Sequence, residues 1–188
     1  MKTITYNDKV ALNENPSISA ENKISDDDMN EIKTAVNQHA NRDFIAAYAS
    51  ADGSSSSAFG VVAVNMNTTI GQVGTGLTLS GGNVVVGSGI SKVKVCGTLV
   101  GNFSNSHSSN TLAAGIRLMH NGSGISSATI LRNIAKAATA ELAITLPPIV
   151  IDVVENDTIN IGIYASSSYI TKTAKSTSMI SVEAYDYN

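Results

Sequence analysis

Apolar and polar residues alternate with a period of two over most of the chain beyond residue 57. Val93, Val95, Gly97 and Leu99 fall on one side of such a run, and Lys92, Lys94, Cys96 and Thr98 on the other. Ile116 and Leu118 alternate with Arg117 and Met119 in the same way. Ile149, Ile151 and Val153 are followed, after a turn at Asn156-Asp157, by Ile159, Ile161 and Ile163, and the chain closes with Ile180, Val182 and Ala184. Side chains of a strand point alternately to its two faces, so this pattern predicts strands with one face covered. The runs are short and bounded by Gly, Asn, Ser or Pro. About eight to ten of them in succession predict a sandwich or barrel of antiparallel strands. Ile125 to Ala140 fits either a helix or two strands, and it is read as strand and loop because its neighbours continue a sheet. Pro147-Pro148 within an apolar run predicts a bulge, an edge position or a strand start.

The segment 1–48 follows a different rule. From Lys2 to Ser25 the apolar residues Ile4, Tyr6, Val10 and Leu12 are scattered among polar ones, and Asn15-Pro16 breaks any helix, so an extended arm is predicted. Ser25 and the three aspartates after it suit the positive end of a helix, which is expected from Asp26 to His39. Met29, Ile32, Val36 and His39 recur at alternating three- and four-residue spacing, and Phe44 and Ala47 continue that stripe. Isolated helices of this length are marginal in water, so the stripe must pack against symmetry copies, a larger particle or the chain's own head. Met29, Ile32 and Val36 are the candidate stalk positions. The expected organisation is an arm and short helical stalk over 1–48, a Ser-rich linker over 49–57, and a β head over 58–188.

Composition sharpens this division. All 15 glycines lie after residue 52, and 13 of the 27 charged side chains lie in the segment 1–43, while Gly53 to Ser91 carries none. Charged residues make up only 14 % of the chain and aromatics 5 %, so the core must be built from Val, Ile, Leu and Ala, and much of the surface must be uncharged or hidden against copies of itself. The net charge of -3 argues against a nucleic-acid surface. The single cysteine, Cys96, allows no internal disulfide. No apolar h-region follows Lys2, and no run approaches the roughly 18 apolar residues that span a bilayer. No secretory signal and no membrane insertion are expected.

The residues that carry chemistry are sparse. There is no Gly-x-Ser-x-Gly elbow, and His39, His107 and His120 form no metal-ligand spacing, so no enzymatic activity, no metal and no cofactor are expected. Asp152, Glu155 and Asp157 crowd one turn, and exposed carboxylates without an ion are the preferred reading there over a hard-cation site. Two polar segments combine amides and hydroxyls with rings, as the hydroxyls and apolar face of a sugar require: Asn102 to Asn110, and Ser166 to Lys172. Phe103, Asn105, His107 and Tyr169 are their candidate ligand-binding residues. Ordinary connections between strands are the competing reading.

The strand and turn Ile116-Arg-Leu-Met-His-Asn-Gly122, the segment from Ile149 to Tyr164 read as a hairpin, and the last strand Met179-Ile-Ser-Val-Glu-Ala-Tyr185 resemble the C1q and tumour-necrosis-factor-like (TNF-like) trimeric jelly roll. Residues 3–37 look like the docking arm and helix that begin tail and baseplate proteins of phages and prophages of Gram-positive bacteria. Together the resemblances imply a mainly β chain, an antiparallel jelly-roll sandwich preceded by an arm and a short helix. They further imply a homotrimer that is part of the virion, held to phage particle proteins by its arm and binding host cell-surface saccharide. Two alternatives are a bacterial cell-surface or spore-surface trimer with the same head, and a depolymerase acting on envelope glycan.

Overall fold

The sixteen-residue strand Ile90–Asn105 alternates between buried and part-exposed residues almost without interruption, so the period read at residues 92–99 extends well past them. The computed structural model describes Asn30, Ile32, Lys33 and Val36, which are helical, and residues 42–187. The chain divides after Arg42 into two units, the second beginning at Asp43. In chain order the second unit contains β1 (Phe44–Tyr48), β2 (Gly60–Ala63), β3 (Thr68–Val73), β4 (Leu77–Ser80), β5 (Asn83–Val86) and β6 (Ile90–Asn105). There follow β7 (Leu112–His120), β8 (Ser123–Ile134), β9 (Ala138–Asp152), β10 (Thr158–Ala165), β11 (Ile170–Ala174) and β12 (Met179–Tyr187).

These strands form two six-stranded antiparallel sheets. In the first, β6 pairs with β9 along one edge, and β12 and then β11 share its other edge; β1 and β3 continue beyond β12. In the second, the order is β4-β5-β10-β7-β8, with β2 on the same edge of β10 as β5. From β5 onward the chain passes between the sheets at most steps, the exceptions being the β7–β8 hairpin and the step from β11 to β12 along β6. This is the order of an antiparallel jelly roll, as expected.

The covered faces meet in one aliphatic core. Ile45, Val93, Val95, Leu99, Ile144, Leu146, Ile180 and Val182 from the first sheet are buried with Val84, Val86, Ile116, Leu118, Ile159, Ile161 and Ile163 from the second. Each such side chain contributes roughly 1.5–3 kcal/mol relative to exposure. Isoleucines fit because glycines face them: a Cβ at Gly97 would lie 3.1 Å from Ile161 Cγ2, and one at Gly101 would lie 3.0 Å from Ile163 Cδ1. Pro147-Pro148 sits where the β6–β9 register shifts, between Val95↔Ile149 and Gly97↔Leu146, on a strand that pairs only with β6. Both the bulge and the edge position are therefore present. Ile125 to Ala140 is strand, turn and strand.

Three expectations are corrected. The head begins at Asp43, not Ala58, because Phe44 to Tyr48 is a strand between β12 and β3. Phe44 and Ala47 therefore belong to a sheet and do not prolong a helical stripe. Residues 49–57 are not a free linker either. Ala49 is buried, the Gly53 N–H donates to the Ala174 carbonyl at 2.8 Å, and Ser56 exchanges two backbone bonds of 2.9 Å with Lys172. This strap covers the edge that β11 would otherwise expose. Finally, Ile149 to Tyr164 is an arch and not a hairpin, since β9 lies in the first sheet and β10 in the second. Of the candidate stalk positions, Ile32 and Val36 are exposed and Met29 lies outside the described residues, as does most of the predicted helix.

Candidate functional site

The two polar segments singled out by composition meet at one end of the sandwich. The chain arrives at the other end, where the Ala184 N–H donates to the Asp43 carbonyl and Ala184 pairs with Val93. From Val93 the strand β6 runs to Asn105, roughly 40 Å at about 3.3 Å per residue. The loops after β6, β8 and β10 lie there, far from the point of arrival.

Asn105 organises this distal end. It is 1 % exposed, and its side-chain amide donates to the carbonyls of Asn110 at 2.9 Å and of Ile134 and Ala135 at 3.1 Å. Its Oδ1 accepts the His107 N–H at 2.9 Å. A buried amide whose nitrogen and oxygen are both engaged within the protein is structural, so Asn105 holds the loops of the site and is not placed to contact a ligand. Phe103 is also corrected: it is fully buried in the core, on the inward phase of β6.

His107 and Tyr169, by contrast, are brought together. Their rings meet edge to face with centroids 4.7 Å apart at 75°. The Tyr169 carbonyl accepts both the N–H and the hydroxyl of Ser106, at 2.9 and 3.0 Å. His107 Nδ1 faces the backbone N–H groups of Ser109 and Asn110 at 3.2 and 3.1 Å, which can only donate, so the ring proton belongs on Nε2. The imidazole is thereby fixed as a wall for Tyr169, which is 54 % exposed.

A second exposed ring lies close by in the chain pairing. Ser57 Oγ is 3.0 Å from Thr171 Oγ1; Phe59 lies two residues beyond Ser57, and Tyr169 two residues before Thr171. Phe59 is 69 % exposed and precedes Gly60, which pairs with Ala165 at the end of β10. No periodicity marks Phe59 as functional. The distal end thus offers two apolar ring surfaces with serine hydroxyls and backbone groups around them, a combination suited to stacking and hydrogen bonding with a hydroxylated ligand.

The acidic turn is arranged differently. Asp152 pairs with Lys92 at 3.2 Å, whereas Asp157 turns inward and accepts from His120 Nε2 and Asn121 Nδ2 at 2.7 Å and from the Val154 N–H at 2.9 Å. Burial pushes the Asp157 pKa up, but these hydrogen bonds outweigh it and hold the carboxyl below its ordinary value. Among the described residues no group of three or more His, Cys, Asp or Glu is placed to hold a metal ion. Lys94 pairs with Glu183 on the outer face of the first sheet.

No family model matches the chain, and no curated protein matches it. Among solved structures it is similar to murine APRIL at pH 5.0, with 14 % identity and a TM-score of 0.47. It is likewise similar to murine APRIL at pH 8.0, with 14 % identity and a TM-score of 0.45. Both likenesses cover 77 % of this chain and 99 % of the other. The strand order described above makes the present chain a mainly β, antiparallel jelly roll.

Proposed function

We propose that the protein is a homotrimeric, non-enzymatic attachment head that binds cell-surface saccharide at its distal end and is carried on a phage or prophage particle by its N-terminal arm. The observation that carries the trimer is the outer face of the first sheet. Ala46, Ile70, Cys96, Thr145 and Met179 line a shallow depression of about 150 Å³ there. Ile70 is 56 % and Met179 43 % exposed, large apolar side chains on a sheet face that a solitary head would leave in water. The polar groups between them already satisfy one another: Cys96 Sγ lies 2.9 Å from Ser181 Oγ, and Thr98 Oγ1 lies 3.2 Å from Thr145 Oγ1. A face with apolar side chains and self-paired polar ones loses little when dried, which suits contact with further copies of the chain. The segment that leads into β1 carries the exposed apolar pair Ile32 and Val36, which serve the same association.

Trimerisation gives the distal site its use. A shallow saccharide site with a millimolar constant supplies only about −4 kcal/mol. Three such sites on one body raise apparent affinity by roughly 10²–10⁴ where they engage together. The arm's resemblance to phage docking segments supports the particle, and the exposed rings of Tyr169 and Phe59 support the saccharide. Binding of the 188-residue chain to host cell walls, compared with Tyr169→Ala and Phe59→Ala, tests the site: each variant is expected to lose tenfold or more in apparent affinity. Unchanged binding by both rejects the distal site, and failure of the full chain to co-purify with virion proteins rejects the particle.

A further inference from the structure

The strands of the second sheet carry no carboxylate. Glu141, Asp152, Glu183 and Asp186, the acidic residues on strands, all belong to the first sheet, whereas β7 and β8 bring Arg117 and Arg132 to the second. Arg117 lies on the outer face of β7, since Ile116 and Leu118 on either side of it enter the core. It is half-buried and pairs with no acid among the described residues.

Its neighbours hold this arginine in place. The Nε–H donates to Thr129 Oγ1 at 2.8 Å, and Cζ lies 4.0 Å from the centre of the Tyr164 ring. The stem crosses Gly124, where a Cβ would lie 2.5 Å from Arg117 Cδ. Gly124 and Thr129 flank a bulge in β8: the register jumps from Met119↔Gly124 to Arg117↔Thr129 and leaves residues 125–128 opposite Leu118 alone. Thr129 Oγ1 also donates to the Ile125 carbonyl at 3.3 Å, so one hydroxyl both closes the bulge and fixes the guanidinium. Bulges re-aim side chains in this way beside functional sites. The two terminal amino groups of Arg117 meet no acceptor among the described residues.

Leu131 lies two residues beyond Thr129 on the same outward phase, opposite Gly115, and is 42 % exposed. Arg132 is on the other phase and donates to the Leu131 carbonyl at 3.1 Å, so a single positive charge marks this face. We propose that Arg117 and Leu131 form a binding site for a small organic acid, a carboxylate joined to an aliphatic body. A guanidinium is a rigid fork that matches the two oxygens of a carboxylate. Because Nε is already engaged, the carboxylate approaches end-on, through the two terminal amino groups, and the aliphatic body lies along Leu131. The site shares no residue with the distal rings and does not depend on them.

Titration of the 188-residue chain with hexanoate, followed in NMR spectra at the Arg117 Nε–Hε and Leu131 methyl resonances, tests the assignment. Saturable shifts at both are expected. 1-Hexanol, which lacks the charge, and acetate, which lacks the body, are each expected to bind at least fivefold more weakly. Arg117→Lys keeps the charge but not the fork and is expected to bind hexanoate at least tenfold more weakly, read at Leu131. Thr129→Val releases the arginine: it is expected to move the Arg117 Hε resonance in the unliganded protein and to weaken binding at least threefold. This second variant keeps the test decisive if Arg117→Lys fails to fold. Absence of saturation, equal binding of hexanol or acetate, or parental affinity in either variant would overturn the proposal.

Discussion

The Asn105 side chain donates to the Ile134 carbonyl at 3.1 Å, tying the last residue of β6 in one sheet to the last residue of β8 in the other. The same amide reaches Asn110 and Ala135, so one buried side chain closes the distal end of the sandwich. Asn105→Ala leaves three carbonyls and the His107 N–H without this partner. Each unsatisfied buried group costs about 1–3 kcal/mol, less where water can enter. A loss of about 2–4 kcal/mol in chemical denaturation is expected, together with faster hydrogen exchange at His107 and Ala137. A loss below about 0.5 kcal/mol, the range of an ordinary surface substitution, would show that the staple is not what holds the loops.

Asp157 should set the acid limit of the arch between the sheets. Its carboxyl is held below the ordinary value by His120, Asn121 and the Val154 N–H, so the folded form binds its proton more weakly than the unfolded chain. The stabilisation is complete above about pH 5, beyond the unfolded value near 3.9, and is lost as pH falls through the folded value. Asp157→Ala removes three hydrogen bonds to a charged acceptor and is expected to cost about 2–4 kcal/mol at pH 7. Thermal melts from pH 7 to pH 3 provide the check: the gap between parent and variant narrows toward low pH, and a constant gap would contradict the assignment.

Much of the fold is legible in the sequence because period two survives in the final structure almost residue for residue from Val93 through Leu99. From Ile159 through Ile163, where every residue is buried, the isoleucines at alternate positions are the ones that enter the core. Pairing is less legible, for a physical reason. Ile149, Ile151 and Val153 show the same alternation whether they pair with β10 in one sheet or face it across the core, so alternation alone makes the arch look like a hairpin. Phe44 and Ala47 satisfy a three-residue helical spacing as well as a strand, and only their pairing with β12 and β3 decides between them. At the site, the signal that places Phe103 inside does exist: continuing the inward phase from Val93 through Leu99 arrives at Phe103, against its assignment to the ligand. The same phase logic places Lys172 inward between Ile170 and Ala174. Phe59 has no such signal, since a lone ring after a serine run says nothing about which end of a sandwich it occupies.

Two glycines separate steric from conformational need. A Cβ at Gly115 would lie 1.9 Å from the Ile130 carbonyl oxygen, a backbone atom of the neighbouring strand that cannot rotate away. Gly115→Ala must force β7 and β8 apart and is expected to cost about 3 kcal/mol or more. Gly122 has open space around it but a φ of +73°, so Gly122→Ala should cost only the left-handed penalty of about 1–2 kcal/mol. Equal losses in urea denaturation would mean that the close approach at Gly115 relaxes freely.

Met179→Glu separates assembly from folding. In a single head Met179 is 43 % exposed, so a carboxylate there reaches water and the sandwich should keep its stability within about 0.5 kcal/mol. In a trimer that covers this face, the same carboxylate is buried beside Ile70 and Cys96 without a cation, and such a charge is costly. The parent should scatter light as a species near three times 19.5 kDa, and the variant as one near 19.5 kDa with an unchanged circular dichroism spectrum. Cys96 supplies a second reading of the same event, because its thiol lies in the depression: it should react slowly with a soluble thiol reagent in the parent and quickly in Met179→Glu. A parent that is monomeric at micromolar concentration, with a rapidly reacting Cys96, would mean that this apolar face is not covered by further copies of the chain, and the multivalent attachment that depends on it would fall.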